Sequence, residues 1–149
     1  MSDFTNTSDI MGGDQAVLDA LIAHNLAEFK DDTIITLGQR AFYKNNVLAT
    51  VELPSVTTVD QHAFEDCTAL ATAIFAELKT MGQYMFKGCT SLTSPSFPAL
   101  TATGQFGFQN CTGLQSVTFP STVTSLAGYL FQGCTNLKTV TAPGLTMLE

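Results

Sequence analysis

The sequence predicts a repeat solenoid: short parallel strands stacked in coils and entered through an N-terminal helical cap. Three observations predict it. One phrase is written four times, as "FEDCTAL", "FKGCTSL", "FQNCTGL" and "FQGCTNL", opening at Phe64, Phe86, Phe108 and Phe131. A fifth copy, "FYKNNVL" from Phe42, carries Asn45 in the Cys position. The Phe positions advance by 22, 22, 22 and 23 residues, and two further columns keep that register: Cys67, Cys89, Cys111 and Cys134, then Leu48, Leu70, Leu92, Leu114 and Leu137. A fixed period between about 20 and 50 residues marks a repeat architecture, in which one unit cannot bury its own faces and a neighbour must cover each side.

Taken in chain order, residues 1–12 read as a flexible tail. Residues 13–31 read as the cap: Val17, Leu18, Leu21, Ile22 and Leu26 fall at helical spacing, with Asp14 as N-cap, and a solenoid needs its first coil covered. Residues 32–149 read as the solenoid, of about five coils. Each coil sends apolar columns inward: Ile34, Val56, Leu78, Leu100 and Val123 eight residues before each Phe, and Leu53, Phe75, Phe97, Phe119 and Ala142 eleven after it. The segment "LQSVTFP" (Leu114 to Pro120) reads as a strand in which Val117 and Phe119 point inward. Proline ends such a ladder because it has no N–H to donate. The third coil should be the least regular, because Pro95 and Thr103 replace inward apolar residues and Gly107 replaces the residue before Phe108. The last coil stops at "APGLTMLE" with no polar cap, so its edge, including Thr141, Leu145 and Leu148, is expected to meet a partner or another copy of the chain.

The strand phrase resembles the leucine-rich repeat signature L-x-x-L-x-L. More closely, "FPSTVTSLAGYLFQGCTNLKTV" (Phe119 to Val140) is similar to the BspA-like subfamily, whose unit of roughly 23 residues places a Pro after the strand and then V-T-x-I-G-x-x-A-F-x-x-C-x-x-L. The resemblance runs from Thr33 to Leu148. It implies a leucine-rich repeat fold and a non-catalytic recognition or scaffolding role, as in bacterial surface adhesins and in phage or prophage virion proteins. The junction "LIAHNLAEFKDDTIITLGQRAF" (Leu21 to Phe42) resembles phage structural proteins, where a short helix leads into the repeats.

Composition narrows the function classes. The net charge is −7 and only 13% of residues are charged. Seven acids lie in residues 1–32, whereas Leu78 to Leu148 contains no acid and only Lys79, Lys87 and Lys138 as bases. No basic patch exists for phosphate, which argues against nucleic acid. No apolar run is long enough to span a bilayer. "MSDFTNTSDIMGGD" lacks the basic and apolar regions of a signal peptide, so synthesis in the cytoplasm is expected, for a protein that ends on a virion or a cell surface. The sequons at Asn6 and Asn110 are weak signals.

Catalytic chemistry finds little support. The Cys spacing is wrong for a metal site within the sequence, and stacked identical positions rarely suit disulfides, so a buried free-thiol ladder is expected. His24 and His62 belong to no nucleophile motif. The pairs Asp31-Asp32 and Glu65-Asp66 read as solvated turn residues. No enzyme and no cofactor is expected. Two surface columns remain as candidate binding surfaces. One is a hydroxyl face of Thr50, Thr72, Ser94, Ser116 and Thr139, with Glu52, Ile74, Ser96, Thr118 and Thr141 beside them. The other lies two residues before each Phe: Arg40, His62, Tyr84, Phe106 and Tyr129, rings that could stack on a surface glycan, grip a protein, or stabilise one another. The expected partners are a protein or self-association, with a glycan as a further candidate. The leading expectation is a virion-associated recognition or decoration protein; the alternative is part of a secreted bacterial adhesin.

Overall fold

The structure, a computed structural model, describes residues 9–10 and 26–148. Each coil has three sides. The first is a column of three-residue parallel strands: β2 (Glu28–Lys30), β4 (Thr50–Glu52), β6 (Thr72–Ile74), β7 (Ser94–Ser96), β8 (Ser116–Thr118) and β10 (Thr139–Thr141). The second is a column of shorter strands: β1 (Asp9–Ile10), β3 (Thr36–Leu37), β5 (Thr58–Val59), β9 (Ser125–Leu126) and β11 (Met147–Leu148), with Thr80 and Ala102 as single bridges after β5. The third is the turn that carries Phe-x-x-Cys. Here Phe42, Phe64, Phe86 and Phe108 donate their N–H to Ala63, Met85, Gly107 and Leu130 of the next coil, at 2.7 to 2.9 Å.

The pairing register equals the sequence period. Thr50 faces Thr72, Thr72 faces Ser94, and Ser116 faces Thr139. Alternation along each strand sends the middle residue inward, so Val51, Ala73 and Val117 are buried while their neighbours face out. The interior is a stack of rings: Phe42, Phe64, Phe86, Phe108 and Phe131 lie nearly parallel, with centroids 5.1 to 5.6 Å apart. Phe75, Phe97 and Phe119 pack beside them.

The solenoid begins earlier than the sequence reading placed it. The cap helix expected over 13–31 and the tail over 1–12 lie mostly outside the described residues. Where the helix was expected to end, Glu28–Lys30 is a strand paired with β4. Phe29 sits in the core at 3% exposure with its ring 5.5 Å from Phe42. The unpaired edge of β4 needs N–H and C=O partners, and that demand outweighs local helical spacing. The signal was present: Leu26, Phe29 and Lys30 stand 22 residues before Leu48, Val51 and Glu52.

The expectation for the third coil holds. β7 pairs with β6, yet no ladder joins it to β8. Pro95 stands in the ladder register of Val51 and Ala73, and it has no N–H to donate to a following strand. The period also lengthens here: Phe97 to Phe119 is 22 residues but Leu100 to Val123 is 23, so the extra residue falls between Pro120 and Val123. In the last coil, residues that would be buried with a neighbour are partly open: Phe131, Cys134 and Leu137 are half-buried and Val140 is 39% exposed. Thr141 is exposed on β10 and Leu145 is half-buried.

Burial therefore sets a gradient of cost along the stack. Phe86→Ala removes a ring fully buried between two others and should cost about 3–5 kcal/mol. Val140→Ala, on the open end, should cost less than about 1 kcal/mol. Urea unfolding midpoints of the two variants check the ordering.

Candidate functional site

The turn side bends the chain twice per coil, and both bends use left-handed backbone. The first falls at Arg40, His62, Tyr84, Phe106 and Tyr129, with φ between 54° and 60°. The second falls at Lys44, Asp66, Gly88, Asn110 and Gly133. From Asp66 onward the second column alternates a side chain with glycine, and a Cβ on Gly88 would meet Asp66 Oδ1 at 2.1 Å. The first column has no glycine. A bulky residue in this region costs about 1–2 kcal/mol, and five coils in a row carry it. Against that cost stand hydrogen bonds and ring contacts between coils: Arg40, His62, Tyr84 and Phe106 donate N–H to Gln61, Gln83, Gln105 and Gly128 at 2.9 to 3.3 Å.

The ring contacts decide what this column can offer a ligand. His62 stacks on Tyr84, Tyr84 on Phe106 and Phe106 on Tyr129, with centroids 4.8 to 4.9 Å apart and planes within 7° of parallel. The inner rings Tyr84 and Phe106 therefore have both faces covered by their neighbours in the stack, which leaves their edges. Tyr129, 66% exposed, ends the stack with an uncovered face. A sugar stacks on ring faces, so the sequence-level idea of a sugar-binding aromatic strip loses most of its contact surface.

Beside His62 lies a charged group that sequence reasoning placed in solvent. Glu65 is buried, at 7% exposure. Its carboxylate accepts a hydrogen bond from His62 Nδ1 and pairs with Lys87 Nζ at 3.0 Å. Lys87 also lies over the Tyr84 ring, 5.5 Å from its centroid. Burial pushes the Glu65 carboxyl up, but bonds and charge from Lys87 and His62 outweigh it and hold the group below its ordinary value. Glu65 in turn raises the Lys87 ammonium above its own. Glu65 and Lys87 are 22 residues apart in the same column, and Gln109 and Gln132 bond to each other further along it. The spacing was the available signal. Asp31, by contrast, is the turn residue the sequence reading made it: its Oδ1 accepts from Thr33 N–H at 2.7 Å and Ile34 N–H at 3.3 Å, closing a local turn.

The four thiols are free, as expected. Each donates to the carbonyl of a Phe in the preceding coil: Cys67 to Phe42, Cys89 to Phe64, Cys111 to Phe86 and Cys134 to Phe108, at 2.9 to 3.0 Å. Burial pushes the thiols of Cys89, Cys111 and Cys134 up, away from the reactive thiolate. Asn45 fills the same place in the first copy and instead accepts from Val47 and Leu48 N–H at 3.0 Å. Among the described residues no group of three or more His, Cys, Asp or Glu could hold a metal ion.

The strand side places the hydroxyl column outward as predicted. Ser94, Ser116, Thr118, Thr139 and Thr141 are exposed and Thr72 is half-buried. The charges of this side are gathered at the N-terminal end, where Glu28 is exposed and Lys30 and Glu52 form an exposed pair at 2.9 Å; from β6 to β10 the outward strand residues are uncharged. A cleft of about 310 Å³ opens on it between β7 and β8, lined by Pro95, Ser96, Phe97, Pro98, Thr118, Phe119 and Pro120. Sequence reasoning marked the irregular coil without seeing that the irregularity makes a cleft.

Two outcomes test this geometry. Tyr84→Gly relieves the left-handed strain but removes two ring stacks, each worth about 0.5–1.5 kcal/mol. The net effect expected in chemical unfolding is a loss of about 1 kcal/mol; a gain in stability would show that the stack does not hold the coils together. Glu65→Gln tests the ion pair. Because the folded carboxyl is held low, its contribution is present above the ordinary carboxylate value of about 4.3 and fades as pH falls through the folded value. The Lys87 contribution is present below about 10.4 and fades as pH rises through its raised value. Glu65→Gln should therefore melt below the wild type at pH 7, and the difference should shrink in acid.

Comparison with known proteins agrees with the geometry. The family profile described as the BspA type leucine rich repeat region matches residues 25–138 in six copies. A search of curated protein sequences finds no match. Among solved structures, the leucine-rich repeat protein of T. pallidum superposes with a TM-score of 0.80 at 29% identity, over 95% of this chain and 65% of that one. A leucine rich cell surface protein from Faecalibacterium prausnitzii A2-165 gives 0.73 at 28% identity, over 78% of this chain and 32% of that one. The pneumococcal vaccine antigen PcpA shares the fold, with a TM-score of 0.62 at 20% identity, over 82% of this chain and 29% of that one. The chain thus spans less than two thirds of the length of each of these proteins. Among the described residues no helix is long and apolar enough to cross a membrane. With the repeat profile covering most of its length and the strand register repeating at the same period, the chain belongs to the BspA-type leucine-rich repeat family.

Proposed function

We propose that the chain is a non-catalytic recognition module of a bacterial surface protein, and that it binds a protein partner through its strand side. The observation that carries this is the outward, uncharged row of Thr72, Ser94, Ser116, Thr118 and Thr139, exposed from Ser94 onward and interrupted by the apolar cleft at Pro95 and Phe119. Hydroxyls accept and donate without a desolvation cost as large as that of charges, and the cleft adds an apolar anchor point, which is the composition of an interface core with a polar rim. The aromatic column is the weaker candidate because its ring faces are occupied by one another. The same observation disfavours a glycan partner.

The roles that the reactive groups already play support the non-catalytic reading. The thiols are bonded to carbonyls, with their ionisation suppressed at Cys89, Cys111 and Cys134, and Glu65 is paired with Lys87 and hydrogen-bonded to His62. The surface reading draws support from the family and from the cell surface protein of Faecalibacterium prausnitzii. The virion reading rests on the Leu21 to Phe42 junction, of which the first part lies outside the described residues. The association expected at Thr141, Leu145 and Leu148 is not carried further, since additional coils of a longer chain would cover the same end.

Arrays of extracellular proteins and of glycans, probed in parallel, test the proposal. Wild type should bind members of the protein array, and Ser94→Lys with Ser116→Lys should abolish that signal while leaving the melting temperature within a few degrees. Binding that survives the double variant, or that appears only on the glycan array, contradicts the proposal.

A further inference from the structure

The junction between the third and fourth coils differs on its three sides. On the strand side the usual bonds are missing. Ala49 accepts from Ala71 and Thr72, Ala71 from Thr93 and Ser94, and Gln115 from Lys138 and Thr139, whereas Thr93 receives no such pair from Gln115 and Ser116. Leu53, Phe75 and Phe119 donate to Ile74, Ser96 and Thr141 at 2.8 to 2.9 Å, and Phe97 has no matching bond to Thr118. The cleft of about 310 Å³ lies in this gap.

On the second side the run of bridges from Thr58 through Thr80 stops at Ala102, and β9 pairs with β11 alone. Side chains span the gap there: Thr122 Oγ1 donates to the Leu100 carbonyl, and Ala127 N–H donates to Thr103 Oγ1 at 2.9 Å. On the turn side nothing is broken. Phe106, Phe108 and Asn110 donate N–H to Gly128, Leu130 and Gln132 at 3.3, 2.9 and 2.8 Å. Phe106 stacks on Tyr129, Phe108 stacks on Phe131, and the Cys134 thiol reaches the Phe108 carbonyl.

We infer that this junction is a hinge: the coils before and after it move as two blocks that part on the strand side and pivot about the intact turn side. Pro95 supplies the break on one side, and Thr103 with the extra residue between Pro120 and Val123 supplies it on the other. A stack whose main-chain ladder is intact on only one of three sides opens on the side opposite it, because main-chain ladders resist separation and the missing ones do not. The apolar contact of Phe97 with Phe119, whose centroids are 5.8 Å apart, lets the blocks close again without a fixed hydrogen-bond register. Opening widens the cleft between Pro95 and Pro120. The hinge stands whether or not the strand side is the binding side.

Amide hydrogen exchange and backbone relaxation dispersion on the full chain test it. Phe97, Gln115 and Ser116 should exchange at least about tenfold faster than their counterparts Phe75, Ala71 and Thr72. Dispersion should appear in 93–97 and 115–119 and be absent at Phe108 and Asn110. Pro95→Val restores a donor and should slow exchange at Gln115 and Ser116 and flatten the dispersion. Equal protection at the counterpart positions overturns the hinge, as does dispersion at Phe108 and Asn110 as large as at Phe97. A folded Pro95→Val protein with unchanged dispersion overturns it as well. If that variant does not fold, the wild-type profiles decide alone.

Discussion

Main-chain hydrogen bonds join the coils of this chain to their neighbours at a spacing of about 4.8 Å, interrupted on two sides only where the third coil meets the fourth. That single constraint governs what each position can hold, because a residue must tolerate a copy of itself, or of its replacement, one strand spacing away. Phenylalanine meets the condition by stacking, cysteine by donating to a carbonyl one coil back, and Thr or Ser by fitting a pleated surface. Like charges do not meet it. The low charge content follows, and where charges do occur in a column they alternate in sign: Lys30 beside Glu52, and Glu65 beside Lys87.

The same constraint explains the strained backbone of the turn side. Once one coil bends through the left-handed region, its neighbours must bend at the same place to keep the ladder. The strain is then repeated at Arg40, His62, Tyr84, Phe106 and Tyr129. Stacked rings offset a cost of comparable size. The aromatic column is consequently occupied in holding the coils, and the recognition surface shifts to the strand side, where hydroxyls project without such obligations.

Where the repeat is violated, the ladder fails locally. Pro95 lacks a donor, Thr103 brings a hydroxyl to an apolar column, and one extra residue lengthens the turn after Pro120. The core continues through Phe97, Phe108 and Phe119, so the coils stay together by apolar contact while two sides lose their main-chain bonds. Side-chain packing tolerates a small change of spacing; a hydrogen bond, which weakens steeply with distance and angle, does not.

Much of the fold was legible in the sequence, since a solenoid writes its tertiary register as a linear period: the inward Phe, Cys and Leu columns, the outward hydroxyls and the irregular third coil could all be read by counting. The strand at Glu28–Lys30 could also have been counted, but the helical spacing of the preceding residues competed with it, and only the edge of β4 decides which wins. Other features depend on direction and distance, which a period does not contain. Whether the rings at His62 to Tyr129 show faces or edges depends on their planes. Whether Glu65 is solvated depends on the Lys87 ammonium and the His62 ring that close over it. Sequence by itself determined which residues share a column; tertiary structure alone decided which columns are spent on one another, because that rests on the three-dimensional angle between side chains that the period merely brings side by side.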